Sequence, residues 1–193
     1  MNFIEIYDNV LTSEQCKEIV DFFEIVPDQY KHQGQVYGAI PGKISIDKNH
    51  KDSIDIWCNF RNQNRLNVII AKSLLSHIRD YRKKYPEIDN VSMWELCEEY
   101  NLQKYLPGQG YHMPHCENST GPSPRILAWM IYLNTVTDKG GTYFTNYDIT
   151  TEAVEGRLVL WPAYWTHTHH GVTSPSQTKY IATGWYSFIP ESK

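Results

Sequence analysis

No Cys-x-x-Cys pair occurs among the four cysteines, Cys16, Cys58, Cys97 and Cys116, which excludes a zinc-ribbon spacing and a disulfide framework. Four isolated thiols are expected to stay reduced, as in a cytoplasmic protein. No apolar run approaches the roughly 20 residues that span a bilayer, so no membrane association is expected. The opening Met1-Asn-Phe-Ile-Glu-Ile-Tyr-Asp8 lacks a basic segment followed by an apolar one and does not read as a signal peptide. Dense Lys/Arg runs are missing too, and the formal net charge is −4, which argues against tight, sequence-independent binding to nucleic acid. The most basic stretch, Arg79-Asp-Tyr-Arg-Lys-Lys84, closes a helical pattern, where cations suit the helix dipole. Internal repeats, low-complexity tracts and linkers are also absent, so residues 1–193 are expected to form one domain.

What the chain has in quantity is aromatic: Phe, Trp and Tyr make up 13 %, with 14 Tyr and 6 Trp, which suits sheets around a wide, stacked interior. Phe3-Ile-Glu-Ile-Tyr7 reads as a short strand. Thr12-Ser-Glu-Gln15 has capping-box spacing and opens a helix through Cys16, Ile19, Val20, Phe22 and Phe23. Residues 26–60 are polar and punctuated by glycine, with one strand-like piece from Ala39 to Ile46. From Asn64 to Lys83 the positions Leu66, Ile69, Ile70, Leu74, Ile78 and Tyr81 keep a helical period. After about residue 95 short strand-like runs take over, at Glu99–Tyr105, Ile126–Leu133, Gly141–Phe144, Arg157–Trp161, Gly171–Val172 and Tyr180–Ile189. The expectation is a mainly β, α+β fold: a jelly roll with its core at 96–190, and residues 1–95 supplying variable loops and helices packed on one sheet.

Two segments carry concentrated donor chemistry. In His115-Cys-Glu117 the outer side chains stand two apart, so on a strand both project to one face. An imidazole and a carboxylate on one face make two adjacent vertices of a metal site. One further histidine from a distant strand completes a two-His, one-carboxylate triad with open positions, a set that suits ferrous iron. Trp161-Pro-Ala-Tyr-Trp-Thr-His-Thr-His-His-Gly-Val172 offers three candidates, His167, His169 and His170. On a strand His167 and His169 share a face and His170 points the other way. His32, His50, His77 and His112 are given no role.

The ordered set Tyr105-Leu-Pro-Gly-Gln109, His115-Cys-Glu117, Arg125-Ile-Leu-Ala-Trp-Met-Ile-Tyr-Leu-Asn134, Gly140-Gly-Thr-Tyr-Phe144, Leu160-Trp-Pro162, His169 and Lys179 resembles a known pattern. Residues from about 99 to 188 resemble the double-stranded β-helix core of the iron(II)- and 2-oxoglutarate-dependent dioxygenases, in particular the prolyl 4-hydroxylase-like branch. Ile4 to Cys16 resembles that branch more loosely. The resemblance implies iron held by His115, Glu117 and His169, with 2-oxoglutarate and O2 as co-substrates and ascorbate as an optional addition. In that family a Lys or Arg follows the distal histidine by about ten residues and pairs with the remote carboxylate of 2-oxoglutarate. Lys179 is ten beyond His169, nine beyond His170 and twelve beyond His167. An interval of nine also occurs in the family, so His170 stays a competitor. His167, if not a ligand, is a pocket residue or a donor to one.

By the same resemblance Tyr105 and Thr142 hydrogen-bond the co-substrate, and Arg125 and Trp185 line the entrance for the prime substrate. Core packing for Tyr105 and Trp185, a turn role for Thr142 and a strand-end anchor for Arg125 are the bland alternatives. Two departures stand out: Glu117 where Asp is usual, and Trp161 where Phe is usual. The implied reaction hydroxylates a C–H bond with release of succinate and CO2, the substrate being peptidyl proline or a related peptide or amino acid. Loops 26–60 and 117–124 are expected to carry substrate choice, the second as a lid or as plain surface. A nucleic-acid demethylating oxygenase, a cupin-like metal-binding module and a silent interaction domain are the rivals.

Overall fold

The computed structural model describes residues 1–37, 44–62, 64–118 and 124–189. Two helices, α1 (Ser13–Ile25) and α2 (Arg65–Lys84), accompany a series of strands. The N-terminal strands are β1 (Glu5–Tyr7), β2 (His32–Gln33), β3 (Val36–Tyr37), β4 (Ile44–Ser45), β5 (Lys51–Asp52) and β6 (Ile54–Asn59). Next come β7 (Trp94–Tyr105), β8 (Gly110–Tyr111), β9 (Arg125–Tyr132) and β10 (Thr142–Phe144). β11 (Ile149–Thr151), β12 (Leu158–Pro162), β13 (His169–Gly171) and β14 (Lys179–Phe188) complete the set. A seven-stranded antiparallel sheet runs β1-β12-β9-β14-β7-β6-β2, facing a smaller sheet β11-β10-β13. This is the expected jelly roll of the double-stranded β-helix type, with both helices on the outer face of the large sheet.

β9 shows why the strands read as continuous apolar runs: both faces are covered. Leu127, Trp129 and Ile131 join the helix-side core with Cys16, Ile19, Ile70 and Leu74. Ala128, Met130 and Tyr132 turn into the roll with Phe144, Trp161 and Ile181. Trp129 is fully buried and lies over Gly184 on β14, where a Cβ would come within 2.7 Å of the indole. The α1 capping box forms as the sequence predicts, with Gln15 N donating to Thr12 Oγ1 at 3.2 Å and Thr12 N to Gln15 Oε1 at 2.9 Å.

Three differences from the sequence expectation matter. β6 lies within 26–60, a stretch expected as loops apart from one strand-like piece. Its residues Ile54, Ile56 and Cys58 pack toward the helices while Asp55 and Trp57 face the other way. The strand-like piece at Ala39–Ile46 survives as β4 at its end; residues 39–43 lie outside the described residues, as do 119–123 of the candidate lid. β7 starts at Trp94, earlier than Glu99, because β14 pairs with it along its length, with an irregularity between Gly184 and Tyr186.

Asn67 locks α2 to the sheet. Its side chain is 4 % exposed, donates to Asn59 O at 2.7 Å and to Asn62 O, and accepts from Tyr100 Oη at 2.6 Å. Asn67→Ala strands a buried phenol and two carbonyls, so urea unfolding is expected to show a loss of about 2–4 kcal/mol.

Candidate metal centre

His115 and His169 are distant in sequence and adjacent in space because their backbones form an antiparallel bridge. Each N–H donates to the other's carbonyl at 2.9 Å. Residues paired this way project their side chains to the same face. Glu117 N donates to Ala163 O at 3.0 Å, and two residues of extended chain return Glu117 to the face of His115. The donor atoms of His115, Glu117 and His169 therefore all lie within 4.8 Å of one another. His169 Nε2 stands 3.3 Å and His115 Nε2 3.8 Å from Glu117 Oε1. Donors bonded to a small divalent ion at about 2.1 Å and at right angles lie about 3 Å apart, so modest side-chain rotation brings this set onto one ion.

The tautomers agree with that use. His115 Nδ1 donates to Met113 O at 3.0 Å and His169 Nδ1 to His167 O at 2.8 Å, since a carbonyl can only accept. Both Nε2 lone pairs are left for the site. Burial, reinforced by the neighbouring His169, pushes the His115 pKa down to about 3, so the ring is neutral at ordinary pH. For Glu117 burial acts upward, but the two imidazoles beside it and the Arg125 guanidinium prevail and hold it well below the usual carboxylate range.

The three candidate distal histidines occupy different environments. His169 is 5 % exposed and faces inward, against Trp161 and Phe144. His170, next along β13, turns outward onto Tyr143. His167 does not share a strand face with His169: it sits in a 3-10 turn, Trp165–His167, before β13 begins. There its Nε2 donates to Asn2 O at 2.7 Å and its ring lies tilted against Tyr147, while its backbone carbonyl holds His169.

A cavity of about 480 Å³ opens beside the cluster. Lys179, Tyr105, Thr142, Arg125 and Trp185 all line it. Lys179 is 6 % exposed; its Nζ donates to Gly140 O at 2.9 Å and lies 5.0 Å from the Tyr105 ring, and no carboxylate among the described residues pairs with it. Burial alone pushes its pKa down to about 8. Tyr105 donates its hydroxyl to Gln103 Oε1 at 2.7 Å, and the Thr142 hydroxyl bonds that of Tyr132 at 2.9 Å. Trp185 donates its indole N–H to Glu117 Oε2 at 2.7 Å, with the Arg125 guanidinium stacked 3.6 Å over its ring.

Sequence reasoning missed one wall. Lys51 and Asp55 form a buried ion pair at 2.6 Å, steadied by Ser53 Oγ donating to Asp55 Oδ1 at 2.8 Å, and with Gln103 they line the cavity. The signal was the alternation Ile54-Asp-Ile-Trp-Cys58, which is a strand pattern inside a polar stretch.

With this geometry in hand, the model of the 2OG-Fe(II) oxygenase superfamily matches residues 100–187. The chain carries a 2OG-Fe(II) oxygenase domain. The oxygenase is 25 % identical over 199 residues to the "Putative prolyl 4-hydroxylase" of Acanthamoeba polyphaga mimivirus, covering 94 % of this chain and 72 % of that protein. A prolyl-4-hydroxylase from Pseudomonas putida shares its fold with TM-score 0.70 at 14 % identity, over 98 % of this chain and 94 % of that one. So does a prolyl hydroxylase from Trichoplax adhaerens in complex with a hypoxia inducible factor oxygen degradation domain peptide fragment. Its TM-score is 0.70 at 17 % identity, over 97 % of this chain and 84 % of that one. The oxygenase is thus an oxidoreductase of a family that works with Fe(II), 2-oxoglutarate and O2. The His-Glu-His donor set and the buried Lys179 fit that equipment: a ferrous ion and a dianion.

Proposed function

We propose that the oxygenase hydroxylates a C–H bond of peptidyl proline, or of a related peptide or amino acid, with Fe(II) held by His115, Glu117 and His169. The observation that carries this is one cavity of about 480 Å³ holding both the three-donor cluster and Lys179, a buried cation without a carboxylate partner among the described residues. Iron, 2-oxoglutarate and O2 together supply the oxidation, with succinate and CO2 as by-products. The chain's own groups bind and orient. His115 and His169 present Nε2, ionised Glu117 presents one oxygen, and Lys179 meets the remote carboxylate of the co-substrate. Tyr105 and Thr142 are the neutral donors beside it, and Met130, Trp161 and Ile181 keep that end dry. Arg125 covers Trp185 and so offers its guanidinium to the prime substrate. The whole chain, 1–193, serves as one unit, since both helices share a core with the large sheet. Support for a proline-containing peptide comes from the named activities of the mimivirus protein and the Trichoplax complex. Four unpaired cysteines suit a reducing, cytoplasmic setting, and ascorbate enters only as an external reductant that no residue here requires.

Metal-free protein titrated anaerobically with ferrous iron and then 2-oxoglutarate is expected to develop a visible charge-transfer band. Turnover with proline-containing peptides should then release succinate. Folded, iron-loaded protein without a band would favour a plain metal-binding module instead. The pH dependence is a separate check. Lys179 binds an anion only when protonated, and burial holds its pKa at about 8. Affinity for 2-oxoglutarate on the metal-loaded protein is therefore expected to stay level below that pH and to weaken about tenfold per pH unit above it. A level affinity up to about pH 9.5 would remove Lys179 from this role.

A further inference from the structure

Glutamate in place of aspartate changes what the carboxylate is free to do. The extra methylene lets it swing and offer both oxygens to one ion, and a carboxylate bound through two oxygens fills a position that a co-substrate needs. In this chain the two oxygens of Glu117 are divided. Oε1 faces His169 Nε2 at 3.3 Å and His115 Nε2 at 3.8 Å. Oε2 points away to the Trp185 indole N–H at 2.7 Å, with Arg125 Nη1 3.7 Å from the same oxygen. The indole N–H only donates, so it cannot be met by anything but an acceptor. Its ring is held in place by Arg125, which stacks over it at 3.6 Å and whose Nη1 in turn donates to the Glu117 carbonyl at 3.0 Å. β14 fixes the base of the indole, with Trp185 in register opposite Ala128.

We infer that Trp185 is a positioning residue that restricts Glu117 to a single donor oxygen, so that the longer carboxylate leaves open the coordination position 2-oxoglutarate requires. The inference rests on the metal assignment proposed above and adds to it a function for Trp185 distinct from lining the entrance. It also accounts for the stacked arginine: Arg125 keeps the indole in the plane from which its N–H reaches Oε2. The indole is thereby committed to the ligand, and the prime substrate meets Arg125 rather than the Trp185 N–H.

Trp185→Phe keeps an aromatic ring for Arg125 to stack on and removes only the N–H. Co(II) affinity without co-substrate, read from the visible spectrum of the bound ion, is expected to stay within about threefold of the parent or to tighten, because both oxygens of Glu117 are then free. Affinity of the anaerobic Fe(II)-loaded variant for 2-oxoglutarate, read from the charge-transfer band, is expected to weaken about tenfold. Equal 2-oxoglutarate affinities in parent and variant would overturn the inference, and so would a parallel loss of metal and 2-oxoglutarate binding, which marks general support of the site. A parent protein that takes up iron but gives no band overturns the metal assignment itself, a different outcome from either. Should Trp185→Phe fail to fold, indole N–H exchange in the Zn(II)-loaded parent decides the matter. Slow exchange at Trp185, lost in Glu117→Ala, supports the bond, and exchange at the rate of a free indole overturns it.

Discussion

Replacing Lys179 with methionine is expected to stabilise the protein while removing its affinity for 2-oxoglutarate. Lys179 is 6 % exposed, and among the described residues the one polar partner of its ammonium is Gly140 O at 2.9 Å. A carbonyl replaces part of the lost hydration but not a counter-charge, so the charged form carries an uncompensated burial cost. That cost is what pushes the pKa from the ordinary 10.5 to about 8. The folded protein therefore binds this proton less tightly than the unfolded chain does. Stability rises as pH climbs from about 8 toward 10.5, and the penalty is fully present below that window. Each tenfold difference in proton affinity corresponds to about 1.4 kcal/mol, so the penalty is of the order of 3 kcal/mol. Methionine fills a similar volume without the charge, and urea unfolding of the protein without co-substrate is expected to show a gain of about 1–3 kcal/mol. Loss of the charge-assisted contact costs binding about 3 kcal/mol, or more than 100-fold in Kd, and abolishes its pH dependence above 8. Opposite signs for stability and binding distinguish a ligand-binding lysine from a structural one. A variant that loses both stability and affinity would assign Lys179 to the core.

The three histidines of the second segment are expected to separate just as cleanly. His169→Ala removes one of three donors that lie within 4.8 Å of one another, and ferrous iron affinity should fall at least about 100-fold. His170→Ala, on the outer face against Tyr143, should leave iron affinity within about threefold. His167→Ala is the informative intermediate. Its ring is 3 % exposed and donates to Asn2 O at 2.7 Å, so the N-terminal segment comes loose and stability falls by about 1–3 kcal/mol. Iron affinity should fall far less than with His169→Ala, because what His167 gives the site is a backbone carbonyl, which alanine also has. Calorimetric metal titration beside urea unfolding reads both quantities for each variant. Iron binding lost with His170→Ala and kept with His169→Ala would reverse the ligand assignment.

These two experiments probe residues that the sequence made legible to different depths. Lys179 could be picked out only through the family resemblance, as the basic residue ten positions beyond His169. His115 and Glu117 were readable from the period of two, which puts alternate residues on one face whatever the strand pairs with. The same rule misled at His167, because it assumes that the chain is extended. Trp165 to His167 instead form a 3-10 turn between β12 and β13, and only the fold reveals where a strand starts. β6 shows the reverse failure. Its alternation was present in the sequence, but polar neighbours on both sides hid six residues that complete the cavity wall through Asp55 and Trp57.

By itself the sequence determined the class of fold, through helix periods before residue 95 and strand periods after it, and the kinds of donor available. Tertiary structure decided which donors meet. The backbone bridge between His115 and His169 brought one histidine of the three to Glu117, and burial set Lys179 against a carbonyl, Gly140 O. Cross-strand packing placed the Trp185 N–H on Glu117, and the Lys51–Asp55 pair closed the far wall. The physical reason is range. Period and propensity are fixed by neighbours along the chain, whereas a ligand set, a desolvated charge and a carboxylate's orientation depend on groups that only antiparallel pairing brings within a few ångströms.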